Sequence, residues 1–107
     1  MNTYQRLKAA IEGAGIMTSA IALPKKVETY AVIRMITHQP EQSADNAPTV
    51  YGAYMQVDLF TESDADAKAR RIINAATAEG FTYRGRSDDA QDGRQHVEIR
   101  LRILEVV

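Results

Sequence analysis

The stretch YGAYMQVDLFT, Tyr51–Thr61, decides the fold because it is the clearest strand in the chain. Its alternate residues form an apolar row suited to a hydrophobic core, namely Tyr51, Ala53, Met55, Val57 and Leu59. The other row should be polar if only one face of the strand is covered, yet it carries Tyr54 and Phe60. The pattern therefore predicts a strand whose second face is half apolar and needs its own cover.

A second strand with the same property precedes it. The segment VETYAVIRMITH, Val27–His38, is rich in β-branched and aromatic residues, and both of its rows carry large apolar side chains. Between the two strands lies QPEQSADNAPT, Gln39–Thr49, whose polar residues and two prolines predict a loop. The two strands then pair most simply as an antiparallel hairpin with a long loop.

Two helices are predicted from apolar residues at helical spacing. The first covers residues 3–14, with Thr3 as its N-cap and glycines at its end. The second lies in ESDADAKARRIINAATAEGF, with Ser63 as N-cap, an alanine-rich buried stripe and Gly80 just past its last turn. An alanine-rich stripe lets this helix approach a sheet closely.

The C-terminal third predicts a closing hairpin. Phe81–Ser87 is a short strand, Asp88–Gly93 a turn, and Arg94–Val107 a last strand with one apolar and one polar face. The order α-β-β-α-β-β predicts an α+β fold with a mostly antiparallel four-stranded sheet and two helices on one face. The chain, residues 1–107, suits a single domain. The path of residues 16–23 is left open between a short strand and a helical turn.

Composition excludes several classes of function. The absence of cysteine rules out disulfides and thiolate sites. A net charge of −1 gives no support for sequence-specific binding of nucleic acid. No apolar run approaches the roughly 20 residues that span a bilayer, and the N-terminus lacks the apolar core of a signal peptide. The sequence therefore predicts a cytoplasmic protein with no membrane partner.

Catalytic and metal-binding patterns are weak. The two histidines, His38 and His96, have no spacing that makes a metal site with Asp45 or Asp58. The carboxylates Asp88, Asp89 and Asp92 do not follow the calcium-loop spacing and are typical of a turn. We expect no catalytic residues, no metal and no cofactor.

The second face of the strand pair is the strongest candidate for function. Two helices can cover one face of a four-stranded sheet, which leaves apolar groups exposed on the other. Such a patch is typical of a subunit interface, and arginine is enriched at interfaces. The predicted interface residues are Tyr30, Val32, Ile36, Tyr54 and Phe60, with Arg34, Arg100 and Arg102 at the rim. In the alternative interpretation, residues 16–24 fold over part of this face.

The whole chain resembles the tail-completion proteins of long-tailed bacteriophages, also called tail-terminator or tail-to-head joining proteins. The likeness lies in a short N-terminal helix, the proline-marked IALPKK, the strand TYAVIRMI, a polar loop with ADN, and the strand YGAYMQVDLFT. A helix of alanines and isoleucines, then GF and a closing hairpin, complete the pattern.

The resemblance implies a non-enzymatic protein of a phage or prophage. It would form a hexameric ring that ends the tail tube and binds tail-tube and head-connector proteins, in the host cytoplasm during assembly and then in the virion tail. It also suggests that the loop with Asp45 and Asn46 reaches a partner. The carboxylates Asp88, Asp89 and Asp92 would then face the ring lumen or the connector.

Two other functions stay open at the level of sequence. A small α+β ligand-binding or regulatory domain would work as a dimer with a concave apolar pocket on the second sheet face. An enzyme would depend on His38 or His96.

Overall fold

The computed structural model describes residues 1–21, 28–44, 47–91 and 93–106. Its elements follow the chain as α1 (Thr3–Gly13), β1 (Thr18–Ser19), β2 (Thr29–Ala44), β3 (Ala47–Thr61), α2 (Ala65–Ala78), β4 (Thr82–Gln91) and β5 (Arg94–Val106). The α+β class is confirmed.

In the described residues the sheet has five strands in the order β1-β2-β3-β5-β4, one more than the sequence predicted. The additional strand is β1, which pairs in parallel with β2 through Thr18 opposite Ala31 and Ser19 opposite Val32. The other three pairings are antiparallel. A strand of two residues is too short to produce an alternating pattern, which is why sequence left the path of residues 16–23 open.

The β2–β3 hairpin is much longer than predicted. Paired strand runs through the segment expected to be a loop, with Pro40 opposite Tyr51 and Ala44 opposite Ala47. Proline is compatible with strand at an edge or a bulge, and the register shifts directly after Pro40. The predicted loop is therefore wrong for residues 39–44 and 47–49, and Asp45 and Asn46 lie outside the described residues. We call residues 39–44 and 47–52 the arm.

A β-bulge at Ile36 changes which face the end of β2 presents. Met35 lies opposite Met55, but the next paired residue is Thr37, opposite Tyr54. One extra residue reverses the alternation, so His38 lies on the helix-covered side and not in the row of Tyr30. The strict alternation predicted for Val27–His38 therefore fails beyond Met35.

Both helices pack on one sheet face, where the apolar row of β3 lies in the core. The buried cluster includes Leu7 and Ile11 of α1, Ala69, Ile72 and Ala76 of α2, and Met55, Val57 and Leu59 of β3. The alanines of α2 that lie in this cluster have no side chain beyond Cβ, which allows the helix to lie close to β3 and β5. The predicted buried stripe is confirmed.

The helix starts differ from the prediction. Asn2, not Thr3, caps α1: its side chain accepts from the Gln5 amide at 2.8 Å, and the Gln5 side chain accepts from the Asn2 amide at 3.0 Å. The residue before α2 is Asp64 and not Ser63, and it adopts a left-handed conformation with φ 53°. Gly80 follows α2 with φ 101°, which confirms its place at the helix end.

The β4–β5 hairpin also extends further than predicted. β4 continues to Gln91, with Asp88 opposite Val97 and Asp89 opposite His96. The turn expected at residues 88–93 is therefore wrong for 88–91, and Asp92 lies outside the described residues. Aspartate disfavours strand in general, but Asp88 and Asp89 each have a cationic or imidazole partner here.

Candidate functional site on the outer face of the sheet

The sheet face opposite the helices, here called the outer face, is floored by a row of stacked rings. Tyr30, Phe60 and His96 lie in register on β2, β3 and β5. The rings of Tyr30 and Phe60 stack with centroids 5.1 Å apart, and those of Phe60 and His96 with centroids 4.7 Å apart. The polar and apolar residues of this face therefore form one continuous layer across three strands.

Part of the outer face is covered by the chain itself. Tyr30 is 1% exposed and Val32 is 7% exposed. The Arg94 guanidinium lies 5.5 Å from the centre of the Tyr30 ring, and Ile21 lines the same depression as Val32. The expectation that nothing in the chain could cover Tyr30 and Val32 is wrong, because both side chains are buried within the chain and the long side chain of Arg94 lies over the Tyr30 ring.

His96 is held between two carboxylates. Its Nε2 lies 2.9 Å from Asp58 Oδ1 and its Nδ1 lies 2.7 Å from Asp89 Oδ1. Burial disfavours the charged imidazolium, but the hydrogen bonds to Asp58 and Asp89 outweigh it and raise the pKa of His96. With both ring nitrogens engaged, His96 has no nitrogen free to accept a proton from a substrate or to bind a metal.

Asp58 is the centre of this network. Besides His96, it accepts a hydrogen bond from Arg34 Nη2 at 3.0 Å and from the Gln56 amide at 3.2 Å. A buried carboxylate with three donors is electrostatically satisfied. Arg34, predicted at the rim of a subunit interface, thus has a partner within its own chain.

A second network lies on the same face towards the arm. The Tyr54 hydroxyl donates to Glu41 at 2.7 Å, and the guanidinium groups of Arg84 and Arg102 lie 4.9 and 5.7 Å from the Tyr54 ring centre. Arg102 also contacts Glu41 at 3.3 Å. The Tyr54 hydrogen bond, with Arg102 beside it, holds the pKa of Glu41 below its usual range.

Gly52 makes this network possible. The Glu41 carboxylate occupies the space where a Cβ at residue 52 would lie. A larger residue at this position would displace Glu41 from Tyr54 and Arg102. Arg100, the third predicted rim arginine, contacts Ser87 at 3.2 Å and Glu98 at 3.7 Å, again within the chain.

The structure does not bring the two histidines together. His38 lies on the helix-covered side, where its Nε2 is 2.7 Å from Glu105 and its ring stacks on Tyr51 at 4.8 Å. The Thr3 hydroxyl also donates to Glu105, and the hydrogen bonds from Thr3 and His38 lower the pKa of that carboxyl. His38 therefore ties β2 to β5 and to the start of α1.

The predicted acidic group does not form one surface either. Asp88 lies on the helix side with Arg86, whose Nη2 is 2.6 Å away, and this hydrogen bond lowers the pKa of Asp88. Arg86 also reaches Asp66 of α2 at 3.1 Å. Asp89 lies on the outer face with His96. The two carboxylates thus serve separate networks on opposite faces of the sheet.

Apolar side chains remain exposed on the outer face where the arm joins the body of the sheet. We call this region, with Ile36, Leu104 and Val106, the arm end. Ile36 is 52%, Leu104 52% and Val106 82% exposed. Within the described part of the chain, no strand pairs beyond Val32 with the edge of β2 that faces away from β3. On the other side of the sheet, β4 pairs with β5 only as far as Arg102. The arm end therefore combines exposed apolar groups with two strand edges that present unpaired backbone groups.

Two shallow depressions lie on the outer face. One of about 480 Å³ is floored by Val32 and Phe60 and edged by Arg34, Asp58 and His96. The other, of about 290 Å³, lies beside the bulge between Ile36, Tyr54, Arg84 and Arg100. The sequence pattern did not predict that four further residues belong to this face, because each reaches it through a bulge or across a neighbouring strand. These residues are Glu41, Arg84, Asp89 and Arg94.

Comparison with known proteins adds no assignment: no protein-family model matches the chain, and no curated protein matches it. Among the described residues, no group of three or more histidine and carboxylate side chains could hold a metal ion. No described helix is long and apolar enough to cross a membrane.

Proposed function

We propose that the protein is a non-enzymatic assembly protein of a phage or prophage tail. Copies of the chain associate into a ring that ends the tail tube and joins the tail to the head. The resemblance described above supplies the biological role. The observation that carries self-association is the arm end, where exposed apolar groups lie beside unpaired strand edges.

The shape of the molecule supports this proposal. The chain measures 52 × 23 × 21 Å, and the arm continues past the point where Thr3 at the start of α1 meets Glu105. Beyond Val50 the described part of the arm has two paired strands only, and isolated two-stranded hairpins are marginally stable in water. Contact with a neighbouring copy would bury Ile36 and Leu104 and complete the strand edges.

The arm also favours a ring over a symmetric dimer. It projects from one end of the subunit. When the arm of one copy binds a different surface of a second copy, the arm of the second copy remains available to bind a third. Contacts of this heterologous kind close into a ring when the rotation between copies permits. The interface predicted from sequence at Tyr30 and Val32 is not part of this proposal, because both side chains are buried within the chain.

Electron microscopy and light scattering of the purified protein test the proposal. We expect rings with six-fold symmetry and a mass of six subunits. The variant with Ile36→Glu and Leu104→Glu should stay monomeric. The matched control is Ile21→Glu, since Ile21 is also an exposed apolar residue but lies at the opposite end of β2, near Val32.

Two outcomes would count against the proposal. A wild-type protein that stays monomeric at micromolar concentration would remove self-association through the arm end. Rings that persist in the arm-end variant would locate the interface elsewhere. The phage role has its own test, since genes for tail-tube and capsid proteins should flank the coding sequence, and a neighbourhood of metabolic genes would oppose it.

The larger depression favours a second candidate function, a small-molecule binding domain. Its apolar floor and its few convergent polar groups fit the general character of ligand sites, and its volume lies in their usual range. This candidate predicts compact dimers in the microscope and saturable ligand binding that Phe60→Ala weakens. The tail proposal predicts neither.

A further inference from the structure

Arg94 is a buried cation with a free hydrogen-bonding edge. It begins β5 and is 5% exposed, and its side chain reaches across β3 to the ring of Tyr30 on β2. Its Nε and Nη2 atoms are buried, and no described residue accepts a hydrogen bond from either. The contact with the Tyr30 ring offsets only part of the loss of hydration.

The other arginines of the outer face are paired differently. Arg34 has Asp58 at 3.0 Å, and Arg102 has Glu41 at 3.3 Å. Asp58 and Asp89, two carboxylates of this face, are both engaged with His96. A guanidinium stays charged at any physiological pH, and a buried charge without a counter-ion is strongly unfavourable. Among the described residues, Arg94 is thus a buried arginine with two guanidinium nitrogens that have no hydrogen-bond acceptor.

The two unpartnered atoms also define the shape of that partner. The N–H bonds of Nε and Nη2 lie side by side on one edge of the guanidinium plane. This edge forms the parallel pair of hydrogen bonds with which arginine binds both oxygens of a carboxylate or two oxygens of a phosphate.

We propose that Arg94 is an oxyanion-binding residue, and that Tyr30 holds its guanidinium in place for a carboxylate or phosphate group. The anion comes from a small solute or from a carboxylate side chain of another copy of the chain. The proposed site lies in the body of the sheet, away from the arm end, so anion binding at Arg94 can be tested separately from association through the arm.

Thermal unfolding with inorganic phosphate or acetate, compared with chloride at equal ionic strength, tests the site. We expect either anion to raise the Tm of the wild type in a saturable manner. Arg94→Met should lose this response and keep only the unspecific rise that excluded salts give every protein. Arg100→Met, on the same strand and face but more exposed, is the matched control and should respond like the wild type.

The chloride condition adds a second prediction. Removal of a buried unpaired charge should leave Arg94→Met as stable as the wild type, or more stable, when no oxyanion is present. A variant that is strongly destabilised in chloride, together with an unchanged response to phosphate and acetate, would overturn the proposal.

A spectroscopic readout distinguishes the two sources of the anion. The Nε–H resonance of Arg94 should move with added phosphate or acetate if the anion is a solute. It should move with protein concentration in chloride alone if the anion is a carboxylate of another copy. A resonance that responds to neither would refute the proposal, whatever the unfolding data show.

Discussion

Different kinds of groups pack against the two faces of β3. On the helix side, Met55, Val57 and Leu59 are buried under α1 and α2 as an ordinary apolar core. On the outer face, Asp58 and Phe60 contact rings and hydrogen-bonded charges from the neighbouring strands. A small protein can therefore cover much of a second sheet face with long amphipathic side chains. The stability of such a face then depends on specific polar partners.

The largest effect is expected on the helix side. Leu59→Ala should lower the free energy of unfolding by about 2–5 kcal/mol, since it leaves a cavity in a fully buried cluster. Chemical denaturation measures this loss. Ile21→Ala, a matched change at an exposed position, should stay within about 0.5 kcal/mol of the wild type. Equal losses at both positions would contradict the contrast between core and surface.

A smaller loss is expected on the outer face. Asp58→Ala removes the acceptor shared by His96, Arg34 and Gln56 and should lower the free energy of unfolding by about 1–3 kcal/mol. The exposed Glu62 provides the control, and Glu62→Ala should change stability little. If the Asp58 and Glu62 variants were equally stable, the network would not be what closes this face.

The contribution of the outer face to the free energy of unfolding should also depend on pH. The folded protein holds the His96 proton more tightly than the unfolded chain, whose histidine titrates near 6.5. This stabilisation is fully present below that pH and is lost as the pH rises through the higher folded-state pKa. Stability should therefore fall over this interval in the wild type, as urea titrations at a series of pH values would measure.

Substitution of the histidine isolates its contribution. His96→Gln should flatten the pH dependence above 6.5, whereas His38→Gln, on the other face of the sheet, should leave that part of the profile in place. A wild-type profile that rises through this interval would show that His96 is not the protonated centre of the network.

The smallest effect on stability is expected at the arm end. Ile36→Ser and Leu104→Ser should each change the free energy of unfolding of the monomer by about 0.5 kcal/mol or less, because both side chains are half exposed. Their effect should instead fall on self-association, measured by sedimentation. A large loss of monomer stability would mean that these residues belong to the core of the single chain.

The sequence predicted the helix side well because its signals are local. The alternation of β3 and the helical spacing of Ile72 and Ala76 each depend on one element only. The outer face depends on register between strands: Phe60 meets Tyr30 and His96 only because three strands align. The bulge at Ile36 reversed the face of His38, and no residue pattern announces a single inserted residue.

Hydrogen–deuterium exchange at protein concentrations below and above self-association tests the central claim most directly: that apolar side chains of the outer face are buried within the chain in the body of the sheet and exposed at the arm end. We predict that association protects backbone amides of β2 at residues 36–44 and of β5 at residues 103–106, while amides of β5 at residues 94–100 keep their rates. Unchanged exchange at the arm end, or new protection confined to residues 94–100, would contradict the account.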